Sequence, residues 1–389
     1  MASRFEGNGV FPIQWLRRAI DERLIVSSAS FEDSSLQPAS LDLRLGETAY
    51  RLQCSFLPGD DPVEKRLAEL SMGEVDLHKD GGILEQNRPY LVPLLEELRL
   101  PEHVHARANP KSSTGRLDVF TRVITDRGTA FDEISPGYKG KLYLEIVPRS
   151  FTIRVKERLS LNQLRLFVGD YRCGADDVRR MHADSPLLSK LGRQLSSEEL
   201  RISRDGGLFL SLDLKPDERG FVGYRAKRNS QLVDMSSFNH DPILYWERIG
   251  GDHRGLVLEP EAFYLLMSLE AVRVPPSLSA EMTAYDPTSG ELRTHYAGFF
   301  DPGFGFDAEN ELGSRAALEV RAHDVAFLIE TGQPVSKLVF ERMAEEPDTS
   351  YGSAIGSYYQ HQEAALGKHF LGPGSGRQLR LIAPDEASV

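Results

Sequence analysis

The sequence carries one pattern twice, displaced by 174 positions. GGILEQNRPYLVPLLEELRLPEHVHA, residues 81–106, aligns without a gap with GLVLEPEAFYLLMSLEAVRVPPSLSA, residues 255–280. Further along, Leu144-Glu145 and Leu318-Glu319 restore the same displacement. Self-similarity that returns to one register across divergent sequence is typical of a duplicated structural unit. The chain is therefore predicted to be a tandem duplication.

The length supports two separate cores. At 389 residues the chain exceeds the usual size of a single hydrophobic core. A polar stretch from about Tyr171 to Gly207, with short helical patterning, lies between the copies. We predict a first domain over residues 1–190, linker included, and a second over residues 191–389.

Within each copy the local signals are those of strands. Short β-rich runs divided by Gly, Pro and Asp recur, such as KLYLEIVP and LRLFV in the first copy and AALEVRA and KLVFE in the second. One helix is predicted near the amino terminus, where Ile13, Leu16, Ile20 and Leu24 share one face. The absence of strand-helix-strand alternation disfavours a parallel-sheet nucleotide fold. The predicted class is all-β with a few short helices.

Charge and composition narrow the classes of partner. The formal net charge is −12, from 46 Lys and Arg against 58 Asp and Glu, with no basic run, which argues against a nucleic-acid polymer. A small polyanion such as a nucleotide stays open, because a few placed cations can bind it. The sequence has no signal-peptide core and no apolar stretch of membrane-spanning length, so we expect a cytoplasmic protein without a membrane partner.

A polar segment of the first copy has the groups that an anion needs. ANPKSSTGRL places Lys111, Ser112, Ser113 and Arg116 around Gly115. Hydroxyls, backbone N–H groups and two cations can all contact an anion. A solvated turn would use the same residues, and short polar motifs match by chance often, so the segment alone leaves both interpretations open.

Glu145 stands among apolar residues in a predicted strand. Alternation places it on one face with Tyr143 and Val147, and Leu144 and Ile146 on the other. If its face is buried, desolvation raises the pKa of the carboxyl group toward that of a useful general base or acid. The alternative is an exposed position on an amphipathic strand.

Together these motifs resemble the dCTP deaminase family, a branch of the dUTPase-like superfamily. The similarity includes PASLDLRLG at residues 38–46, the Ser-Ser-x-x-Arg segment, Thr129-Ala130, Pro136-Gly137-Tyr138 and Glu145. It resumes in the second copy at DPGF, residues 301–304, and in a carboxy-terminal segment with Tyr351 and YQHQ, residues 359–362. The resemblance implies two dUTPase-like β-clip, or distorted jelly-roll, domains in tandem.

The resemblance also implies roles for individual residues. It assigns triphosphate contacts to Lys111, Ser112, Ser113 and Arg116, and pocket shaping to Thr129, Ala130 and Tyr138. It assigns closure over the phosphates to Tyr351, Tyr359 and Gln362, and activation of the attacking water to Glu145. Three positions depart from the family: Lys111 replaces arginine, Tyr138 replaces tryptophan and Tyr358 replaces a phosphate-contacting lysine.

The second copy retains only part of the same set. Its segment DPTSGELR keeps Ser289 and Arg293 but not the paired serines, while Glu319 stands at the position of Glu145. The simplest interpretation is that complementary parts survive in each copy and that one site is assembled from both. Glu319 could instead mark a second or a degenerate site.

The implied reaction is hydrolytic deamination of dCTP to dUTP and ammonia. Zinc-dependent nucleobase deaminases carry H-x-E and P-C-x-x-C signatures, which this sequence lacks, so we expect general acid-base catalysis without zinc and no metal ligand from the protein. Mg²⁺ is expected to accompany the triphosphate, with dUTP or dTTP as further ligands and a homo-oligomer, trimer favoured. The alternatives are a dUTP diphosphatase, a bifunctional enzyme that forms dUMP, and a noncatalytic nucleotide sensor.

Overall fold

The structure is a computed structural model, and it describes residues 5–251, 255–284, 292–294, 298–306, 311–322, 324–352 and 365–371. Strands dominate it, as the sequence predicts. No helix in these ranges is long and apolar enough to cross a membrane.

The first half consists mainly of two antiparallel sheets. One contains five strands, in the order β1-β13-β8-β10 with β3 on β13, and the other six, in the order β5-β4-β7-β11-β9 with β2 on β7. The elements are β1 (Gly9–Val10), α1 (Ile13–Asp21), β2 (Ile25–Ser27), β3 (Leu41–Arg44), β4 (Thr48–Leu52), α2 (Val63–Leu70), β5 (Ser71–Asp76), β6 (Gly82–Leu84), β7 (Tyr90–Arg99), β8 (Val104–Pro110), α3 (Ser112–Gly115), β9 (Val119–Thr125), β10 (Glu133–Ile134), β11 (Lys139–Pro148), β12 (Ile153–Val155) and β13 (Ser160–Val168).

The second half is built on one branched sheet of eleven strands. Its main path runs β15-β14-β21-β16-β27-β22-β24, and β20 pairs separately with β26. The elements are α4 (Ala175–Asp184), β14 (Leu188–Lys190), β15 (Arg193–Gln194), β16 (Leu208–Asp213), β17 (Phe221–Ala226), β18 (Val233–Asp234), β19 (Trp246–Gly250), β20 (Leu256–Leu258), β21 (Phe263–Val272), β22 (Leu278–Ala284), β23 (Leu292–Thr294), β24 (Gly298–Phe300), β25 (Ser314–Ala322), β26 (Phe327–Ile329) and β27 (Pro334–Arg342).

The duplication is visible in strand register. In the first half Glu145 of β11 is paired with Leu91 of β7, and in the second half Glu319 of β25 is paired with Leu265 of β21. Both residues of the second pair lie 174 positions after those of the first. The two glutamates therefore occupy equivalent places in equivalent sheets.

The division between the halves lies before residue 190. Residues 188–190, assigned from the sequence to the first domain, form β14 and pair with β21 of the second half. The helix α4 upstream buries Val178 and His182. Leu187 donates its backbone N–H to His182 Nδ1 at 3.0 Å, which ties the helix to the start of β14. The helical patterning of the linker thus belongs structurally with the second half.

The helix α1 packs as its apolar spacing predicts. Ile13 and Leu16 are buried in the core of the first half, and Ile20 packs against it. Leu24, the fourth residue of the predicted stripe, follows the helix, which ends at Asp21. The core of the first half also takes in Trp246 and Phe263 from the second half, so the two halves share apolar packing.

A buried arginine joins the halves electrostatically. Arg165 of β13 is fully buried; its Nη1 donates to Glu341 Oε2 at 2.8 Å and its Nη2 to Asp301 Oδ1 at 3.3 Å. Its guanidinium also lies 4.0 Å from the centre of the Phe299 ring. Burial raises the pKa of both carboxyl groups, and the arginine acts against that shift. The first half thus supplies the cation that two buried carboxylates of the second half need.

We predict that Arg165→Met destabilises the protein strongly. Leaving buried carboxylates without their cation costs about 3–5 kcal/mol, so the urea midpoint falls in a denaturation curve. The loss shrinks toward acidic pH, because the raised pKa values let the carboxyl groups become neutral there.

Arg179→Met is the matched control. Arg179 pairs with Asp176 on the surface of α4, where one exposed ion pair contributes about 0–1 kcal/mol. Equal midpoints for Arg165→Met and Arg179→Met would show that the buried arginine does not hold the halves together.

Candidate active site

A cavity of about 760 Å³ lies between the two halves. This volume lies within the range of about 300–1,000 Å³ that is common for small-molecule sites. Both halves contribute polar side chains to its wall. Those from the first half include Asp42, Lys111, Ser112, Ser113 and Arg116, and those from the second include Asp301, Glu319, Tyr351 and Lys368.

The predicted anion-binding segment forms one helical turn at this wall. The strand β8 ends at Pro110, and the carbonyl of Lys111 then accepts the N–H groups of Thr114 and Gly115 at 2.8 and 3.0 Å. Ser113 is buried and Ser112 half-buried, and both line the cavity. The turn thus presents hydroxyl groups to the cavity, in support of an anion site over a solvated turn.

Glu319 faces this turn from the second half. On β25 the neighbours Leu318 and Val320 are fully buried in the second-half core, so alternation directs Glu319 to the opposite side, into the cavity. A Cβ atom built on Gly115 would lie 2.7 Å from Glu319 Oε2. The carboxyl group therefore packs directly on the Gly115 backbone, and a larger residue there would displace it.

The environment of Glu319 shifts its protonation. Burial raises the pKa of the carboxyl group to about 8, while Arg116 acts to lower it and Asp118 to raise it further. Both neighbours belong to the first half and lie within three residues of Gly115. A carboxyl group with a pKa near neutrality can accept a proton in one step and return it in another.

Lys368 adds a cation from the carboxy-terminal part of the chain. Arg116 Nη1 donates to the carbonyls of Ala365 and Leu366 at 3.3 and 3.4 Å, which fixes the approach of this segment. Burial and the nearby charge of Lys111 lower the pKa of Lys368 to about 8. The sequence does not reveal this residue as a candidate, because no motif or spacing distinguishes it from other lysines.

Lys111 is engaged within the first half. Its Nζ makes an ion pair with Asp42 Oδ2 on β3, inside the PASLDLRLG motif. The other oxygen, Asp42 Oδ1, is buried and has no hydrogen-bond partner among the described residues. Two motifs whose contacting residues lie 69 positions apart in the sequence thus meet at one point of the cavity wall.

The structure does not bring Glu145 to this cavity. Glu145 is fully buried, as one of its two interpretations required, but it does not line the cavity. Its Oε2 accepts Arg122 Nε at 2.8 Å, and the Arg122 guanidinium lies 3.6 Å from the centre of the Phe131 ring. The predicted catalytic carboxylate is therefore held by an arginine of its own half, while the residue predicted for a second or degenerate site, Glu319, meets the Lys111–Arg116 turn.

The predicted pocket-shaping residues of the first half also lie elsewhere. Thr129 and Ala130 are exposed, and Tyr138 donates its hydroxyl to the carbonyl of Lys141 at 2.5 Å. None of the three lines the cavity. Burial raises the pKa of Tyr138 to about 12, so its hydroxyl stays neutral. These three residues lie near the sheet that contains Glu145. The part of the cavity wall that they were predicted to form comes instead from the second half.

That wall comes from the DPGF motif and the strand before it. Phe299 and Phe300 of β24, with Asp301 and Phe304 of the motif, line the cavity beside Glu319. Gly303 in the motif has φ +97°, a conformation that favours glycine, and it approaches the backbone of Tyr351. The predicted closing residue Tyr351 is thereby fixed at the cavity rim.

The remaining predicted residues lie outside the described part of the chain. Ser289, Tyr359 and Gln362 fall in the ranges without description, as does Tyr358. The backbone of Arg293 lies in β23, opposite Arg321 of β25, and its side chain is not described. Among the described residues, no group of three or more His, Cys, Asp or Glu side chains is arranged to hold a metal ion.

Comparisons with known proteins identify the family and the fold. Models of the N-terminal and C-terminal domains of 2'-deoxycytidine 5'-triphosphate deaminase match residues 7–170 and 175–370. The crystal structure of 2'-deoxycytidine 5'-triphosphate deaminase from Agrobacterium tumefaciens is 44% identical, with a TM-score of 0.84 over 90% of this chain and 100% of that chain. The predicted all-β, dUTPase-like fold is confirmed.

Curated relatives named "dCTP deaminase, dUMP-forming" match smaller parts of the chain. The protein from Methanosphaera stadtmanae is 29% identical over 132 residues, 34% of this chain and 64% of its own length. The protein from Corynebacterium glutamicum strain R is 29% identical over 182 residues, 43% of this chain and 91% of its own length. Because the two domain models together match most of the chain, this protein belongs to the dCTP deaminase family.

Proposed function

We propose that this protein removes the amino group of dCTP by hydrolysis of the C4–N bond in the cavity between its halves, with Glu319 as the proton-transferring residue. The observation that carries the proposal is the contact of a buried carboxyl group of one half with the hydroxyl-bearing and cationic turn of the other. The names of the relatives and of the structural neighbour support the nucleotide.

The polyphosphate fits the first-half side of the cavity. Ser112 and Ser113 offer hydroxyl donors, and Lys111 and Arg116 offer positive charge. Lys368 adds a third cation. It can compensate for the phosphate-contacting lysine of the family, whose position is occupied by Tyr358 in this chain. Charge-assisted hydrogen bonds of this kind contribute about 1.5–3 kcal/mol each, enough to retain a triphosphate on a protein of net charge −12.

The base then lies toward Phe304 and Glu319. In its ionised form Glu319 accepts a proton from water while the oxygen adds to cytosine C4. The proton passes from Glu319 to N3. The proton of the added hydroxyl group is then transferred to the exocyclic amine, so ammonia leaves as the C4 carbonyl forms. Water and dCTP are consumed, and dUTP and ammonia are released. General acid-base catalysis by one placed group contributes about 10²–10⁴ in rate.

Magnesium accompanying the triphosphate stays part of the proposal. Oxygen ligands suit Mg²⁺, and the triphosphate supplies them, so the ion is expected to bind through the nucleotide. When bound, the ion would neutralise phosphate charge. A homo-oligomer with a trimer favoured and the binding of dUTP or dTTP are likewise proposed from the family resemblance, and a cytoplasmic location stays a prediction from the sequence.

A second candidate is a bifunctional reaction that ends at dUMP. The curated relatives are named dUMP-forming, which favours release of diphosphate after deamination. The enzyme would then direct a second water to the α-phosphate. The noncatalytic sensor is the third alternative and predicts nucleotide binding without ammonia.

We predict that Glu319→Gln and Glu145→Gln have unequal effects. Glu319→Gln removes the proton acceptor and lowers kcat by at least about 10²-fold, while the affinity for dCTP stays within a few-fold in calorimetry. Glu145→Gln leaves kcat within about tenfold, because Glu145 does not line the cavity. The opposite ranking would return catalysis to Glu145.

The pH dependence of kcat/KM should be a narrow bell centred near pH 8. Glu319 has a pKa of about 8 and must be ionised to accept a proton, so the rate rises through that pH. Lys368, with a pKa also of about 8, loses its charge over the same range, so triphosphate binding weakens above it. Lys368→Gln should lower kcat/KM and remove the alkaline decline. A profile that is flat between pH 6 and pH 9 would contradict these assignments.

One assay separates the three activities. Purified protein is incubated with dCTP, dCDP, dCMP or dUTP plus Mg²⁺, and ammonia, uracil absorbance and diphosphate are followed together. We expect ammonia from dCTP in step with the loss of cytosine absorbance. Diphosphate in equal amount establishes the dUMP-forming reaction, and its absence establishes dUTP as product. Binding of dCTP without ammonia establishes the sensor.

A further inference from the structure

A second contact between the halves lies beside the first. Asp118 follows the Lys111–Arg116 turn and is almost fully buried, and Arg321 on β25 is equally buried. Arg321 Nη2 makes an ion pair with Asp118 Oδ2. On the strand, Arg321 shares a face with Glu319, because residues two apart project to the same side. The turn and the strand thus meet twice, at Gly115 with Glu319 and at Asp118 with Arg321.

The backbone at Asp118 is unusual. Its φ is +55°, a left-handed conformation that Asp and Asn tolerate better than most residues. Its N–H donates to the Gly115 carbonyl at 2.8 Å, and its own carbonyl accepts the Arg149 N–H at 2.9 Å. Ser150 Oγ also donates to Asp118 Oδ2, at 2.5 Å. The end of the turn is therefore fixed from both sides.

Arg321 is fixed as well, and it belongs to the second half alone. Its Nη1 donates to the Glu261 carbonyl and lies 3.4 Å from Glu261 Oε2. The equivalent position of the first half, 174 residues earlier, is the apolar Val147. The arginine thus occurs only in the copy whose glutamate faces the cavity.

We propose that Arg321 and Asp118 are a positioning pair for the reaction: they hold the Lys111–Arg116 turn at a fixed distance from Glu319, and each compensates the charge of the other beside it. The proposal rests on the proposed function, because it assigns the pair to the step that Glu319 performs. Neither residue lines the cavity, so neither is a catalytic residue.

The charges of Asp118 and Arg321 have opposite effects on the pKa of Glu319. Asp118 raises the pKa of Glu319, and Arg116 lowers it. Other charged groups around the cavity are Arg17, Asp33, Asp42 and Lys111 from the first half, and Asp301 and Lys368 from the second. Removing the arginine takes one positive charge away from Asp118, and removing the aspartate takes one negative charge away from Arg321, which keeps its contact with Glu261. The two losses must therefore move the ionisation of Glu319 in opposite directions.

The test compares the acidic limb of the kcat/KM profile in four proteins. Arg321→Gln should shift the limb toward alkaline pH and Asp118→Asn toward acidic pH, separated by at least about half a pH unit. Asp118→Asn keeps a residue that tolerates the left-handed backbone. The double variant should return the limb toward that of the unmodified protein, as expected for a coupled pair.

Arg321→Lys separates position from charge. It keeps the positive charge but loses the planar fork, so the limb should stay in place while kcat falls about tenfold. Arg154→Gln is the matched control, because Arg154 of β12 and Asp234 of β18 form a partly exposed ion pair between the halves at 3.8 Å. Its profile and kcat should match those of the unmodified protein.

The outcomes distinguish the two proposals. An unmodified protein that releases no ammonia overturns the proposed function. An active protein in which both single variants shift the limb in the same direction, or not at all, overturns the positioning pair and leaves the function intact. Melting temperatures of each variant identify losses of activity caused by unfolding, and Arg321→Lys then decides the question with the charge retained.

Discussion

The contact of the Glu319 carboxyl group with the Gly115 backbone is the constraint on which the site depends. It places a buried acid from one half against the hydroxyl-bearing turn of the other without an intervening side chain. Burial alone would make such an acid costly, since a carboxylate away from water is stable only near compensating charge or as the neutral acid. The raised pKa of Glu319 and the nearby Arg116 are the two physical answers to that cost. A pKa near neutrality and a neighbouring cation are also the conditions under which a carboxyl group can accept and return a proton.

The duplicated glutamates show how equivalent strand positions can have different neighbours and different roles. Glu145 and Glu319 have the same register in equivalent sheets, yet Glu145 is paired with Arg122 of its own half. Both Nε and Nη2 of Arg122 donate to Glu145 Oε2, so this oxygen is already engaged by charge-assisted hydrogen bonds within its own half. Among the described side chains of its own half, no arginine forms an ion pair with Glu319, and Arg321 is engaged by Asp118 and Glu261. The difference arises in the neighbours and not in the glutamates.

Much of this could be predicted from the sequence, for identifiable reasons. Periodicity and the 174-residue repeat depend on local pattern, and they predicted the strands, the helix α1 and the equivalence of Glu145 with Glu319. The Lys111–Arg116 turn could be found because Gly, Ser and basic residues cluster there. Which glutamate faces this turn could not be found, since it depends on which sheet face the other half covers. Lys368 could not be found either, because its place is set by Arg116 contacts with the backbone at Ala365 and Leu366.

Covalent linkage of the copies explains why such asymmetry can persist. When two identical units form a site by association, each must retain both the turn and the glutamate, because every unit plays both parts. In a tandem chain the first half always meets the second at a high effective concentration, so each can specialise. The first half has the paired serines and pairs its glutamate with Arg122, while the second has the glutamate that faces the cavity and has Arg321 at the position of the apolar Val147. Arg165 and its partners Asp301 and Glu341 then favour one docking of the halves, since a docking that buried Arg165 or Glu341 without the other would leave a buried charge unpaired.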